Sequence, residues 1–274
     1  MPGSAAAPRL LVTGGAGLLG RHVVAMAAVA GWDVVHPASV EMDVVDAGAV
    51  TRHVELVQPA AIAHLAYRKD DEQVIVDGSA ITAEAAAASG ARLVHLSTDA
   101  LFAGRPEPYT EDDHPTPVHD YGRWKAMAER EVMDRCPGAV MIRTSLMYAG
   151  DGSAPCQLDV RRVLDGEADM RFFTDEVRCF TRVDDVAAAV LHLAGDPSVL
   201  GPLHVVAPDP VDRAAFARHV ATWLGRDPTA VPTGSIAASG LDRPGHVVLD
   251  PTRAATLGIT CRTLAAGLPI PPSP

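Results

Sequence analysis

The sequence predicts an α/β protein: a doubly wound parallel sheet with a small C-terminal α/β substrate lobe. Two observations carry the sheet. Short apolar runs alternate with helix-period segments through the first two-thirds of the chain. Strands separated by helices are the pattern of parallel pairing through right-handed crossovers. A third observation carries the lobe, because the alternation becomes irregular beyond Thr144. The chain has 274 residues, enough for a substantial core and near the upper size of one globular unit. The expected division is 1–150 for the sheet domain and 151–274 for the lobe, interleaved with the main domain and returning strands to its sheet.

Each element has a local cause. Leu10-Leu11-Val12 reads as a buried strand ending in the turn Thr13-Gly14-Gly15, and 17–30 as a helix stopped by Gly31. A strand is expected at 33–36. Asp46 can cap a helix running to about Val57. A third strand is expected at 60–65, an Ala-rich helix at 75–89 closed by Gly90, and a fourth strand at 92–96 followed by a Ser97-Thr98-Asp99 turn. A loop rich in Pro, Asp and Glu covers 103–119, and a helix at 120–135 leads to a strand at 139–143. In the lobe, 156–164, 183–194 and 213–224 read as helices, with short strands at 170–173 and 203–206. The tail from Leu268 is Pro-rich and expected to fray.

Composition excludes several functions. Net charge is −11, so the surface cannot neutralise phosphates as a general nucleic-acid binder does. No apolar run approaches a bilayer span, and residues 1–8 lack a charged n-region, so a cytoplasmic protein is expected. Cys136, Cys156, Cys179 and Cys261 show no C-x-x-C spacing, which reads as free thiols and no zinc site. The histidines show no metal-ligand spacing, and His95 is expected in the core.

The chemistry begins at Gly14, Gly17 and Gly20, which follow the first strand and open the first helix. Gly14 makes the tight turn, Gly17 admits a pyrophosphate to the backbone, and Gly20 lets helix and sheet approach. The helix start at Leu18 and Leu19 supplies free N–H donors. This is the context of a dinucleotide-binding Rossmann fold. His36-Pro37-Ala38-Ser39, after the second strand, contains no acid for a ribose 2′-hydroxyl, which favours NADP(H) over NAD(H). Arg21 is either a partner for the 2′-phosphate or a solvated helix residue. Asp43 either reaches the adenine or caps a loop.

Tyr121 and Lys125 are four residues apart, on one face of the predicted helix. A neighbouring cation lowers a phenol's pKa and suits it to protonate a developing alkoxide. Thr98 ends the fourth strand, where open α/β sheets bind ligands, and can hydrogen-bond the carbonyl. Arg161, Arg162 and Arg178 are either diphosphate contacts or surface residues.

Thr13-Gly14-x-x-Gly17-x-x-Gly20, Ser97-Thr98-Asp99-x-x-Phe102-x-Gly104 and Tyr121-Gly122-x-x-Lys125 resemble the extended short-chain dehydrogenase/reductase superfamily. More narrowly, the chain is similar to the dTDP-4-dehydrorhamnose reductase family. His64-Leu65-Ala66-Tyr67, Arg143-Thr144-Ser145 and Thr181-Arg182-Val183-Asp184-Asp185-Val186 add to the match, over about residues 9–195. The resemblance implies that Thr98 polarises a ketone, Tyr121 donates the proton, and Lys125 binds nicotinamide-ribose hydroxyls. The implied cofactor-binding set is Gly14, Gly17, Leu18, Leu19, Gly20, Arg21, Asp43, Val44, Leu65, Ala66, Tyr67, Ser97, Tyr121 and Lys125. The substrate-binding set is Thr98, Asp99, Phe102 and Arg178, for a nucleotide-linked 4-keto-6-deoxysugar. A homodimer is implied by the resemblance alone. Leu146 stands where that family usually has Trp, and its Asn-Phe-containing stretch is not recognisable in 152–160. Two alternatives remain: a nucleotide-sugar epimerase or dehydratase on the same fold, and a non-catalytic NADP-binding subunit like that of methionine adenosyltransferase.

Overall fold

Apolar runs in the first half of the chain become strands whose side chains are shielded from water. The computed structural model describes residues 6–270. The first five residues and the Pro-rich tail beyond 270 lie outside the described residues. In chain order the elements are β1 (Arg9–Thr13), α1 (Leu18–Ala27), β2 (Asp33–Val35), α2 (Ala47–Val57), β3 (Ala61–His64), α3 (Glu72–Ile75), α4 (Asp77–Ser89) and β4 (Arg92–Thr98). Then come α5 (Asp120–Arg135), β5 (Val140–Thr144), β6 (Met147–Tyr148), α6 (Pro155–Leu164), β7 (Phe172–Phe173), β8 (Val177–Arg178), β9 (Thr181–Arg182), α7 (Val183–Gly195) and β10 (Gly201–His204). The chain continues with β11 (Val211–Asp212), α8 (Arg213–Trp223), β12 (Thr233–Gly234), α9 (Ile236–Ser239), α10 (Thr252–Thr256) and α11 (Leu264–Gly267).

The six-stranded sheet has the order β10-β5-β4-β3-β1-β2. β1 pairs in parallel with β2 and β3, and β3 with β4. Leu11, Ile62 and Leu93 stand side by side in this register and pack against Val50 and Val54 of α2 and Ala83 and Ala86 of α4. Each large apolar side chain so buried contributes roughly 1.5–3 kcal/mol. Helix ends follow their sequence signals. Asp46 accepts the Ala49 N–H at 3.0 Å to cap α2, and Gly90, at φ +71°, closes α4.

Two compact units emerge. The first comprises Met1–Ser97, Asp120–Ile142 and Ala187–Leu203; the second comprises Thr98–His119, Arg143–Val186 and His204–Pro274. Chain order is therefore interleaved, and residues 98–119 and 143–150 fall outside the unit that a cut at 150 assigns them to. In the first unit, Arg92 gathers three distant backbone carbonyls: Leu193 at 3.2 Å, Val199 at 2.5 Å, and Gly138.

The second unit contains two-residue strands paired as β11-β8, β12-β7 and β6-β9. Its core stacks Phe180 on Phe216 at 3.9 Å between ring centres, with Tyr148 beside Phe216. Glu176, 2% exposed, faces Arg178 at 3.6 Å, Arg213 at 3.7 Å and Arg243 at 3.4 Å. Ribbons this short show no alternation in sequence, so most escape prediction. The expected turn at 97–99 is also revised. Ser97 and Thr98 belong to β4, since the β-branched Thr98 keeps extended backbone (φ −148°, ψ 157°), and Asp99 opens a single 3-10 turn.

Candidate active site

The glycine turn is shaped by close backbone approach. Gly14 has φ +70°, and a Cβ there would lie 2.8 Å from the Ala66 backbone. A Cβ on Gly20 would lie 2.1 Å from the Gly14 carbonyl oxygen, so no larger residue fits at position 20. Gly17 is the N-cap of α1, and no side chain caps it. The first-turn amides of Leu18, Leu19 and Gly20 are thus left as donors for an external anion. This cradle fits the pyrophosphate of NAD(P). Leu18 and Leu19 carry no polar side-chain atom and can serve it only through backbone N–H, and Leu19 is also buried in the core.

Other residues of the predicted cofactor set divide by exposure. Arg21 and Asp43 are exposed, and Asp43 accepts the Val45 N–H at 3.2 Å. Val44 and Leu65 are buried, and Val44 packs on Gly78, where an added Cβ would come within 2.8 Å of its Cγ2. These two support the neighbouring backbone rather than present side chains. Ser97 is buried as well.

Within the first unit, α5 brings Tyr121 and Lys125 to one partner. The Tyr121 ring lies 6.3 Å from the Tyr67 ring, and Lys125 Nζ lies 5.8 Å from the centre of that ring. Tyr121 is held by packing, with Trp124, on Ile75, Val76 and Ala128. Lys125 is 4% exposed and donates to the Leu96 carbonyl at 2.8 Å. Burial lowers its pKa to about 8, against an opposing pull from Glu129. Beside it, His64 and His95 stack with ring centres 5.5 Å apart. Burial, reinforced by the Lys125 charge, holds the pKa of both below the ordinary histidine range.

Within the second unit, Thr98 is partly exposed and its hydroxyl lies in a defined network. Its Oγ1 accepts the Ala100 N–H at 3.1 Å and donates to Asp99 at 3.3 Å. Asp99 is buried and also accepts from Ser145 Oγ at 2.5 Å. Desolvation raises its pKa, opposed by Arg178 and by the Ser145 and Thr98 hydroxyls. Asp99 therefore orients Thr98 and Ser145, and Ser145 had no signal of its own beyond following Arg143-Thr144.

Two expected substrate contacts lie in the interior. Phe102 is fully buried and stacked on Tyr109 at 4.1 Å, so it is core. Arg178 is buried, with its guanidinium committed to the carbonyls of Val177, Gly245 and Pro244 at 2.7–3.0 Å and ion-paired to Asp99 and Glu176. Three of its five N–H donors are spent on backbone carbonyls and the side chain is buried, so the guanidinium acts as a structural tie.

Among the described residues no helix is long and apolar enough to cross a membrane, and no group of three or more His, Cys, Asp or Glu could hold a metal ion. The four cysteines are free.

A family model described as RmlD substrate binding domain matches residues 8–269. The chain belongs to this family. A relative from Mycobacterium tuberculosis, named dTDP-4-dehydrorhamnose reductase, is 34% identical over 237 residues, covering 81% of this chain and 78% of that protein. One of the same name from Mycolicibacterium smegmatis is 31% identical over 169 residues, covering 60% and 52%. The chain spans about half the length of the first curated relatives it matches. A solved structure of dTDP-4-dehydrorhamnose reductase from Bacillus anthracis, in complex with NADP, is similar with a TM-score of 0.86 and 23% identity, covering 96% of this chain and 97% of that one. It shares the fold of this RmlD-family chain.

Proposed function

We propose that this chain is an NAD(P)H-dependent reductase acting on the 4-keto group of a nucleotide-linked, dTDP-bound 6-deoxysugar. The observation that carries the reading is the pairing of a half-buried Tyr121 with a desolvated Lys125 on one helical turn, both beside the Tyr67 ring. Membership of the RmlD family and the names of the mycobacterial relatives support the substrate class.

The chain's own residues divide the work. The amides that open α1 hold the cofactor pyrophosphate, with Ala66 and Tyr67 lining its groove. When bound, NAD(P)H supplies the hydride. Tyr121 gives its phenolic proton to the oxygen that becomes the alcohol, and the Lys125 ammonium stabilises the phenolate left behind. Thr98 hydrogen-bonds the carbonyl oxygen, its hydroxyl oriented by Asp99 and Ser145. The 151–274 region contributes the sugar-nucleotide contacts. NADP(H) is the preferred cofactor, because 36–39 offers no carboxylate to a free 2′-hydroxyl. The enzyme works in the cytoplasm as a homodimer.

Tyr121→Phe tests the mechanism. Turnover of a dTDP-4-keto-6-deoxysugar should fall by roughly 10²–10⁴-fold, with NADPH fluorescence titrations unchanged. Full activity in that variant rejects Tyr121 as the proton donor.

A further inference from the structure

Three donors and acceptors meet at the end of β1. The Thr13 hydroxyl oxygen lies 3.1 Å from the Leu65 N, 3.2 Å from the Ala66 N and 2.9 Å from His64 Nδ1. A hydroxyl has two lone pairs and one proton. The Ala66 N–H and the Leu65 N–H, the latter shared with the Thr13 carbonyl at 3.3 Å, occupy the lone pairs, which directs the Thr13 proton to His64 Nδ1. On the far side of the ring, Ser79 Oγ lies 3.3 Å from His64 Nε2 and 2.6 Å from the Ile75 carbonyl oxygen. That carbonyl can only accept, so Ser79 donates to it and must itself accept from Nε2–H. Both ends require the same ring: neutral, bare at Nδ1 and protonated at Nε2.

We propose that His64 is a positioning residue for the dinucleotide site, whose fixed tautomer joins α4 to the phosphate turn and to the loop carrying Tyr67. The hydrogen bonds run in one direction. Leu65 and Ala66 donate to Thr13, Thr13 to His64, His64 to Ser79, and Ser79 to the Ile75 backbone. Every member of this chain is buried or partly buried, so a missing link leaves a polar group without compensation.

The geometry shows why this matters at the site. Gly14 touches the Ala66 backbone so closely that a Cβ would be 2.8 Å away. The Thr13 hydroxyl therefore sets the spacing between the phosphate turn and residues 65–67. Tyr67, next in the chain, faces both Tyr121 and Lys125. A rotated or charged His64 would withdraw its acceptor from Thr13. Burial opposes that charge by lowering the His64 pKa to about 3.

This inference rests on the dinucleotide reading above, and its test separates the two. Nitrogen-15 NMR of the protein should show His64, assigned by its loss in His64→Gln, protonated at Nε2 and bare at Nδ1 at neutral pH. A proton on Nδ1 overturns the relay. NADPH titration gives the functional arm. His64→Leu should weaken NADPH binding by about tenfold or more, with kcat at saturating NADPH changed less than about threefold. His64→Gln, whose amide offers an acceptor and a donor, should restore most of the affinity. Should His64→Leu fail to fold, Thr13→Val and Ser79→Ala cut the relay at either side, and unchanged affinity in both overturns it. Wild-type protein that binds neither NADPH nor NADH overturns the function and this inference together. Binding in wild type and equally in His64→Leu overturns only the inference.

Discussion

The two units solve the problem of buried polarity in opposite ways. In the first, strands such as β1 and β3 are apolar and almost fully buried, and most of the buried polar side chains are hydroxyls or uncharged imidazoles. His64 and His95 stack as uncharged rings, and Lys125 is held where its charge is disfavoured. In the second, two-residue strands leave little sheet, and buried charge takes over the organising role. Glu176 draws Arg178, Arg213 and Arg243 together, while Arg178 ties three backbone carbonyls. The difference teaches where chemistry can be tuned. A desolvated amine in an apolar unit is close to losing its proton, whereas a guanidinium among carboxylates is fixed for structure.

The largest test of this contrast is Glu176→Leu. Removing the carboxylate leaves three guanidinium groups without their common partner, and urea denaturation should show a loss of about 3–5 kcal/mol. A loss below about 1 kcal/mol would mean that the ion cluster contributes little, and the contrast between the units would dissolve.

Lys125→Met probes the other side. Lys125 has a folded pKa of about 8 against an ordinary 10.5, so the native state releases its proton first as pH rises. The unfolded chain then binds more protons between those values, and stability contributed by this group grows across that window by about 3 kcal/mol. Below pH 8 the charge is a cost, so Lys125→Met should be more stable than wild type at neutral pH while losing turnover. Its pH–stability curve should flatten between 8 and 10.5. Reduction by wild type should decline as pH rises through about 8, where the ammonium is lost; a flat rate profile would separate Lys125 from the chemistry.

Asp46→Ala sharpens the comparison least. Loss of the α2 cap should cost about 1 kcal/mol in thermal or urea unfolding, with cofactor affinity unchanged. An effect several times larger would place α2 among the supports of the site.

Much of the first unit was legible because its causes are local. The helix expected at 120–135 is found at Asp120–Arg135, and Asp46 caps α2 as its position suggested. The glycine turn could be read from spacing, since each glycine answers a contact within a few residues or with one neighbouring strand. The burial of Phe102 and Arg178 was not legible, because their surroundings are set far along the chain: Phe102 meets Arg143 and His204. Arg178 finds its acceptors at Pro244 and Gly245, positions no local pattern links to it. His64 carried a weak signal, a polar residue closing a buried strand, but its partners Thr13 and Ser79 come from two other elements.

Arg92 also bears on how the protein is made. Its guanidinium waits for carbonyls at 138, 193 and 199, and the sheet edge beside β5 waits for Gly201–His204. A nascent chain that has emerged only to residue 150 therefore exposes a sheet lacking its last strand and an arginine lacking two of its three acceptors. Completion of the six-stranded sheet must follow translation of some fifty further residues, so stalling in that interval would present an open edge to chaperones.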